Sequence, residues 1–359
     1  MTAIAFYAPL KSPDHPTPSG DRQIARNLQK ALARALNGSV HLASKLRSFE
    51  PRGAADDQAA LLAQAGDDIA RIIKTLPDVA LWVSYHNYYK APDLIGPAVS
   101  RARGIPYVLI EATRARKRLT GPWADFARRA EAASDAATVI FHFTDQDRVA
   151  LERDRPDTQQ LVHLPPFLDR ASLPPASATD GPMLAVGMMR PGDKLASYTL
   201  IAQTLAALPE TDWHLQIVGD GDARAEVHRL FEPFGDRVSF LGAKSASELE
   251  TIYSNSSMML WPGVNEAFGM VYLEAQAAGL PVLAQLRPGV QDVLAPGAYP
   301  SVADGIPGLA AHLRELLANP AHRLARGQMA RDTIAERHLR PAAEHILRDT
   351  LSPLIGAQT

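Results

Sequence analysis

Short apolar runs alternate with longer helical patterns along nearly the whole chain, and this rhythm restricts the possible folds. The run Ile4–Ala8, for example, precedes a stretch in which apolar residues recur at every fourth position from Ile24 to Leu36. Such spacing gives a helix one apolar stripe. Strands that alternate with helices form parallel sheets with helices on both faces. The sequence therefore predicts the α/β class.

The rhythm is interrupted once, which indicates two domains. It stops at Leu164, gives way to a stretch rich in proline, alanine and serine up to Pro182, and restarts at Leu184. A chain of 359 residues is of ordinary length for two domains. We predict an N-terminal domain over 1–165, a linker, a C-terminal domain over 180–338, and a separate C-terminal helix over 340–355.

Composition excludes several classes of protein. The 37 basic and 39 acidic residues give a net charge of −2, which argues against a nucleic-acid partner. The chain has no cysteine, so disulfides, iron–sulfur clusters, thiol nucleophiles and cysteine-based zinc sites are excluded. No apolar run approaches the ~18 residues of a membrane span, and the N-terminus does not resemble a signal peptide. We expect a cytoplasmic protein.

A basic segment over 114–129 contains Trp123 and Phe126 among its arginines and lysine. Such a segment can lie on an anionic membrane surface or hold an anionic acceptor. It is more often a solvated helix face whose aromatic residues point inward. The sequence leaves these alternatives open, so peripheral contact with the inner membrane face is one expectation among them.

The stretch that follows Trp261 carries the strongest functional pattern. A strand ends there, and a helix is predicted to begin near Phe268, at the sheet edge where open α/β sheets bind ligands. The free amides of Ala267–Met270 can cradle a phosphate or hydroxyl. Glu266 and Glu274 would lie roughly 12 Å apart along a helix, about the length of a sugar–diphosphate–ribose chain. Taken alone, they also fit a helix-dipole partner and an exposed helix residue.

This stretch resembles the signature of retaining GT-B glycosyltransferases, family 4 (group 1). The match includes the Glu-x7-Glu spacing of Glu266 and Glu274, Phe268-Gly, and Gly279-Leu-Pro-Val; it extends upstream through Leu215-Gln-Ile-Val-Gly-Asp-Gly-Asp. It covers the second domain and, more thinly, the first. The resemblance implies two Rossmann-like domains with a cleft between them and a C-terminal helix that crosses back to the N-terminal domain.

The resemblance also implies an activity. The implied activity is that of a metal-independent hexosyltransferase, an enzyme type found in bacterial polysaccharide biosynthesis. Such an enzyme moves a sugar from a UDP-, GDP- or ADP-linked donor to a glycan, lipid-linked or small-molecule acceptor hydroxyl, with retention of configuration. The donor would bind to the second domain and the acceptor mainly to the first. No cofactor or metal is expected.

Residue roles follow from the same resemblance. Glu274 would accept the ribose hydroxyls, and Glu266 would hold hydroxyls of the transferred sugar. The backbone of four residues would assist Glu266: Ala267, Phe268, Gly269 and Met270. Four further residues would border the base: Leu241, Gly242, Ala243 and Lys244. Gly219 would line the same pocket, although Gly219-Asp-Gly221 is equally a strand-to-helix turn.

A loop that begins at Gly187 would bind the diphosphate. The family has an arginine directly after this glycine and a lysine five or six residues further on. Here Met188 takes the arginine position, whereas Lys194 lies about where the lysine belongs. Arg190 could reach the same diphosphate with its bidentate guanidinium. Lys194 would oppose a helix dipole, so an anion nearby would explain it. Arg190, Lys194 and Glu266 are the candidate catalytic residues of this domain.

The first domain offers two candidates. Gly20 opens a helix after the first strand, where its backbone can approach a phosphate or an acceptor, and Ser19 can equally cap that helix. Many family members carry a histidine at the end of the strand that here ends at Glu111-Ala112. His86, at the end of the preceding strand, is a candidate catalytic substitute, although a lone histidine there is often structural.

Two alternatives to the transferase remain. A nucleotide-sugar 2-epimerase has a related fold, and a non-catalytic sugar-nucleotide-binding protein would explain the altered arginine and histidine positions. Asp220-Gly-Asp222 resembles the metal-binding Asp-x-Asp motif of the other large glycosyltransferase fold. We reject that interpretation because the pair lies on a predicted turn of a GT-B-like domain. The base, the sugar and the acceptor are not encoded in a readable motif.

Overall fold

The computed structural model describes residues 2–17 and 19–356 and divides the chain into two compact α/β units. The first unit comprises the chain up to Pro165 together with the part from Arg340 onward, and the second runs from Pro166 to Leu339. The predicted linker belongs to the second unit, because Ser177 donates its amide to Ala278 and Arg331 donates to the Pro174 carbonyl.

The first unit contains one six-stranded parallel sheet with the order β2-β1-β3-β4-β5-β6. Its strands are β1 (Thr2–Tyr7), β2 (Gly38–Leu42), β3 (Leu81–Asn87), β4 (Tyr107–Ala112), β5 (Val139–His142) and β6 (Gln160–His163). The first five coincide with short apolar runs of the sequence, of which Ile4–Ala8 is one. β6 was not predicted, because it is an edge strand whose end residues are exposed.

Helices cover this sheet. In chain order they are α1 (Gly20–Ala35), α2 (Ala55–Thr75), α3 (Gly96–Arg103), α4 (Ala124–Ala136) and α5 (Asp145–Asp154). The apolar stripe predicted from its spacing is the buried face of α1, on which Ile24, Leu28 and Leu32 point into the core.

The second unit contains a five-stranded parallel sheet with the order β11-β10-β7-β8-β9. Its strands are β7 (Met183–Val186), β8 (Leu215–Val218), β9 (Val238–Gly242), β10 (Met259–Leu260) and β11 (Val282–Leu283). Its helices are α6 (Asp193–Ala206), α7 (Arg224–Phe231), α8 (Ala246–Ser254), α9 (Met270–Ala277), α10 (Gly305–Ala318) and α11 (Pro320–Arg337). Each strand coincides with a short strand-like run of the sequence after the restart at Leu184.

The start of α9 corrects one prediction. The helix begins at Met270, not near Phe268, because Gly269 caps it with a left-handed φ of 81°. Helical rise therefore applies only from Met270 onward. The separation of Glu266 and Glu274 predicted from a continuous helix was based on the wrong geometry.

The last helix, α12 (Arg340–Gly356), packs against α1 of the first unit. Arg34 Nε and Glu344 Oε1 lie 3.9 Å apart across this contact. The chain thus leaves the first unit, builds the second, and returns, as the predicted fold requires. Within the described residues, no helix combines the length and the apolar character that crossing a bilayer requires.

Candidate functional site

The loop after β7 and the turn after β10 lie against each other in the second unit. Gly187 follows β7, and a Cβ atom there would come within 2.5 Å of the Trp261 ring. Glycine is therefore needed for the close approach of the two segments. Because parallel strands end at one edge of the sheet, this contact joins the predicted diphosphate loop to the start of the Glu-x7-Glu stretch.

Lys194 and Glu266 form an ion pair at this edge. The Lys194 ammonium donates to Glu266 Oε1, which also accepts a 3.0 Å hydrogen bond from Trp261 Nε1. The same ammonium lies 5.3 Å from the centre of the Trp261 ring. The side chains keep 31% and 14% of their surface exposed, respectively. Glu266 is thus the anion that explains a lysine at a helix N-terminus, and two of the three predicted catalytic groups of this domain meet at one half-buried position.

The turn that carries Glu266 is fastened to α6. Asn265 Nδ2 donates to Asp193 Oδ1 at 2.8 Å, and the Val264 amide donates to Ser197 Oγ at 3.0 Å. These contacts position Glu266 beside the first turn of α9, where helix geometry leaves backbone amides without intrahelical acceptors. The amides of Ala267–Met270, predicted as a cradle, belong to this turn and helix start.

Glu274 lies one turn into α9 and is held by a tyrosine. Its Oε2 atom accepts a 3.0 Å hydrogen bond from the hydroxyl of Tyr253, a buried residue of α8. Burial raises the pKa of Glu274, although the hydrogen bond from Tyr253 opposes this shift. Burial and the nearby carboxylate raise the pKa of Tyr253, so that its hydroxyl keeps its proton. Sequence reasoning did not assign a role to Tyr253.

The predicted base-binding residues continue along the same sheet edge. The Gly219 amide donates to the Gly242 carbonyl at 3.0 Å, and a side chain at Gly219 would overlap the carbonyl of Gly187. The ends of β7, β8 and β9 are therefore adjacent. Leu241, Ala243 and Lys244 flank this point, and Lys244 Nζ lies 3.3 Å from Glu248 Oε1.

The Arg190 side chain takes no part in the contacts of Lys194 and Glu266 described above. Its backbone carbonyl accepts from the Leu195 amide, and its side chain is exposed. In the described part of the chain, the ion pair of Lys194 and Glu266 includes no atom of Arg190. Met188, at the family's arginine position, is also exposed.

Asp220 is a turn residue. Its Oδ1 atom accepts from the Gly221 amide at 2.8 Å, and Oδ2 lies 3.4 Å from an Arg224 nitrogen. Among residues 2–17 and 19–356, no three histidine or carboxylate side chains are grouped as a metal site would require.

In the first unit, the His86 ring lies between two carboxylates at the carboxyl ends of the strands. Its Nε2 atom is 3.5 Å from Asp21 Oδ1 on α1, and its Nδ1 atom is 3.5 Å from Glu111 Oε2 on β4. His86 is only 9% exposed. Both His86 and Glu111 have left-handed backbones, with φ of 76° and 59°, a strained conformation that is frequent at functional sites. We call these three residues the His86 cluster.

The side chains of the His86 cluster shift one another's pKa values. Burial raises the pKa of Glu111 to about 7, against the opposing effect of His86. Burial lowers the pKa of His86, but the carboxylates of Glu111 and Asp21 outweigh it, so that the pKa is raised overall. Burial alone would raise the pKa of Asp21, but the close approach of His86 and its charge outweigh burial, so that the pKa is lowered. Such a group of side chains can bind a hydroxyl and exchange its proton.

Gly20 lies beside this cluster as the first residue of α1. Ser19 caps the helix by accepting a 3.2 Å hydrogen bond from the Arg22 amide. A Cβ atom at Gly20 would meet nothing within 4 Å. The packing of the unit therefore does not itself require a glycine at this position.

Acidic side chains neutralise much of the basic segment over 114–129. Arg114 is buried and donates to Glu131 and Asp135 at 2.6 and 2.7 Å. Arg116 pairs with Asp154, and both Arg128 and Arg129 lie near Asp125. Phe126 is fully buried. These contacts favour the solvated helix face for α4, and membrane contact stays a prediction.

Comparisons with known proteins agree with this geometry. Residues 182–319 match the family model described as glycosyl transferases group 1. A D-inositol 3-phosphate glycosyltransferase from Mycolicibacterium smegmatis is 29% identical over 173 residues, which are 46% of this chain and 39% of that protein. The chain spans between 18% and 39% of the length of three curated relatives that it matches.

Solved structures extend the likeness to the whole fold. Sucrose-phosphate synthase from Thermosynechococcus elongatus has a TM-score of 0.75 at 20% identity, covering 99% of this chain and 100% of that one. Anabaena HepE, solved in complex with UDP and glucose, has a TM-score of 0.69 at 16% identity, covering 97% and 99%. The chain has the α/β two-domain GT-B fold with parallel sheets.

Proposed function

We propose that this chain of GT-B fold, whose residues 182–319 match the group 1 glycosyltransferases, is a retaining glycosyltransferase of family 4. It would transfer a hexosyl group from a nucleoside diphosphate sugar to an acceptor hydroxyl without a metal ion. The observation that carries this proposal is the meeting of Lys194 and Glu266 beside the start of α9, with Glu274 further along that helix. The match to group 1 and the UDP complex of HepE support it.

Glu274 is suited to bind the ribose. Tyr253 holds its Oε2 atom, which leaves Oε1 for a ribose hydroxyl. Because Glu274 lies in a half-buried position, water screens such a hydrogen bond less than it would on an open surface. Tyr253 therefore acts as a positioning residue that fixes the carboxylate in one orientation.

Lys194 and Glu266 are suited to bind different parts of the donor: Lys194 the diphosphate and Glu266 the sugar. When the diphosphate arrives, the Lys194 ammonium can turn to it and release Glu266 Oε1 to accept sugar hydroxyls. The exchange costs little, since a partly exposed ion pair contributes only about 0–1 kcal/mol. Negative charge then grows on the departing diphosphate, where Lys194 and the α9 amides would stabilise it. The family resemblance implies a front-face mechanism, in which the leaving phosphate helps to deprotonate the acceptor.

The His86 cluster would serve the acceptor side of the reaction. It offers an imidazole and the Glu111 carboxyl to a hydroxyl at the ligand-binding edge of the first sheet. We assign acceptor binding to this first domain and donor binding to the second.

A donor screen followed by product analysis tests the proposal. Thermal shifts with UDP, GDP, ADP and their hexose conjugates identify the nucleotide, because a ligand that binds the native state raises the apparent stability. The preferred donor is then incubated with candidate acceptors, and NMR gives the anomeric configuration of the product. We expect transfer with retention. An inverted product would contradict the retaining mechanism.

Two further outcomes separate the alternatives. Incubation with the donor alone would give a 2-epimer if the protein were an epimerase. A non-catalytic protein would show a thermal shift without hydrolysis or transfer. A variant such as Glu274→Ala, which should lose the shift, provides the matched control for binding at the proposed site.

A further inference from the structure

Three loops meet at the carboxyl ends of β2, β3 and β4 in the first domain. The Glu50 amide donates to the Lys90 carbonyl at 2.8 Å, and Trp123 Nε1 donates to the Glu50 carbonyl at 3.2 Å. Gly53 lies so close to Pro122 that an added Cβ atom would overlap its ring. The loops are thus fixed to one another at the edge where α/β sheets bind ligands.

Two aromatic rings and two cations share this place. Tyr89 and Trp123 pack edge to face with ring centres 5.7 Å apart. The Arg118 guanidinium lies 5.0 Å from the Tyr89 ring centre and 5.3 Å from that of Trp123. The Lys90 ammonium lies 5.8 and 5.3 Å from the same rings. We call these four residues the aromatic–cation platform.

The cations of the platform lack counter-ions. In the described part of the chain, neither Lys90 nor Arg118 has a carboxylate within ion-pair distance, and Arg118 Nε is buried without a hydrogen-bond partner. Arg114 and Arg116, in contrast, each pair with an acidic side chain. Lys90 and Arg118 place two positive charges beside one aromatic pair, and the buried Arg118 Nε has no acceptor among the described residues. A dianion bound there would neutralise both charges and supply that acceptor.

The platform and the His86 cluster both lie at the carboxyl ends of β3 and β4. Tyr89 follows His86 by three residues, and Tyr88 lies between them. Burial raises the pKa of Tyr88, and the Asp21 carboxylate raises it further. A ring-shaped acceptor lying on the platform would have a neighbouring group able to receive one of its hydroxyls.

We propose that the first domain recognises a phosphorylated acceptor, with the phosphate bound by Arg118 and Lys90 and its sugar or cyclitol ring packed against one ring of the perpendicular Tyr89–Trp123 pair. Aromatic faces pack well against the apolar face of such rings, and the guanidinium fork fits phosphate oxygens. The identity of this ligand as an acceptor rests on the proposed transfer reaction, whereas its binding does not.

Titration calorimetry with glucose 6-phosphate, glucose 1-phosphate, myo-inositol 1-phosphate and unphosphorylated glucose tests the binding. We expect at least one ring phosphate to bind at least tenfold more tightly than glucose. Arg118→Ala and Lys90→Ala should each weaken it at least tenfold, and Arg118→Lys less. Lys117→Ala removes an exposed cation from the same short helix and should change the affinity less than twofold.

Several outcomes would overturn the proposal. They are equal affinity for glucose and every ring phosphate, no binding of any probe, or an unchanged affinity of Arg118→Ala. A parallel assay with phosphatidylinositol vesicles and phosphatidylcholine vesicles distinguishes a lipid headgroup from a free ring phosphate. Loss of phosphatidylinositol binding in Arg118→Ala would support the lipid-borne form.

Two controls separate this proposal from others. Arg118→Ala should keep the thermal midpoint or raise it, because removing one of two unpaired cations relieves repulsion; a fall would indicate a structural role. Its nucleoside diphosphate affinity should stay that of the wild type, since the donor site lies in the second domain. A protein that binds the ring phosphate without transferring sugar would contradict the proposed function and leave this site intact.

Discussion

Glu111 is a carboxyl group whose protonation changes near neutral pH. It is half-buried beside His86. Desolvation is the largest cause that raises its pKa, His86 opposes that effect, and the carboxylates of Asp147 and Asp21 raise the pKa further. Asp147 is itself a half-buried acid whose pKa is raised by desolvation. Ionising Glu111 therefore adds negative charge to a site that already contains negative groups. This repulsion should lower the free energy of unfolding of the first domain.

The Glu111→Gln variant measures that cost. The pKa of Glu111 rises from 4.5 to about 7 on folding, so its favourable contribution is present below pH 4.5 and is lost as the pH rises through 7. Glutamine does not ionise. We expect the variant to gain about 1–3 kcal/mol relative to the wild type between pH 5 and pH 8. Hydrogen exchange of β3 and β4 peptides, compared with the wild type at each pH, gives this difference.

The control for Glu111→Gln is Glu152→Gln, an exposed glutamate on α5. Its stability relative to the wild type should stay the same at both pH values. If Glu111→Gln behaves in the same way, burial does not hold the Glu111 carboxyl group in its neutral form.

Glu274 provides a second prediction at the scale of single residues. We expect Glu274→Ala to weaken the preferred nucleoside diphosphate by about ten- to a hundredfold, because a hydrogen bond to a charged group contributes roughly 1.5–3 kcal/mol. Glu274→Gln should lose less, since the amide oxygen can still accept one hydrogen bond. Calorimetry gives both affinities, and Tyr253→Phe, which removes only the positioning contact, should lie between Gln and wild type. Unchanged affinity in all three would remove the ribose role.

Side chains that act through partners were the hardest part of the site to predict. The sequence singled out Glu266, Glu274 and His86 but did not show that Glu266 pairs with Lys194 or Glu274 with Tyr253. These partners lie 72 and 21 positions apart. Only the tertiary packing of α6 against the β10 turn, and of α8 against α9, brings them together. Residue type and local spacing contain no information on such contacts.

Strands were easier to predict than helix ends. Parallel strands buried on both faces appear as continuous apolar runs, as β3 and β5 do, whereas the half-exposed edge strand β6 has no such run. The short helix α3 was also missed, although Gly104, in a left-handed conformation, marks its end. The start of α9 depended on the backbone conformation of Gly269, which composition alone does not fix.

The loop from Gly187 to α6 allows a prediction for a whole element. If this loop binds the leaving diphosphate, Lys194→Ala should lower kcat by ~10²-fold or more, because negative charge grows there in the transition state. We expect Arg190→Ala to lower kcat as well, and Arg190→Lys to restore it only partly, since an ammonium lacks the bidentate fork. Steady-state kinetics on both substrates measure these effects.

The matched control is Arg229→Ala, which removes an exposed cation from α7 of the same domain. It should retain the turnover of the wild type. Near-normal turnover of Arg190→Ala together with a large loss in Lys194→Ala would show that Arg190 is a loop residue. Lys194 would then act with the α9 amides alone.

At the scale of the whole molecule, each domain carries its own proposed ligand-binding edge. The second has the ion pair of Lys194 and Glu266 with the Glu274–Tyr253 contact, and the first has the His86 cluster and the aromatic–cation platform. The return of α12 to α1 makes the first domain discontinuous in sequence. Substitutions in one edge should therefore change the apparent affinity for one substrate without unfolding the other domain.

The charges that the chain itself supplies lead to the last prediction, which concerns metal ions. Asp220, the obvious metal-binding candidate in the sequence, already accepts hydrogen bonds from Gly221 and Arg224 within its turn. Lys194 and the first turn of α9 instead offer fixed positive charge to a diphosphate, which is the electrostatic task that a divalent ion performs elsewhere. We expect the initial rate of transfer to be unchanged in excess EDTA, measured after exchange of the protein through a chelating resin. Addition of Mg²⁺ or Mn²⁺ should then give no increase, and a metal-dependent transferase assayed in parallel should lose its activity. Loss of the rate in EDTA with recovery on adding either ion would mean that Lys194 and the helix amides are insufficient to stabilise the leaving group.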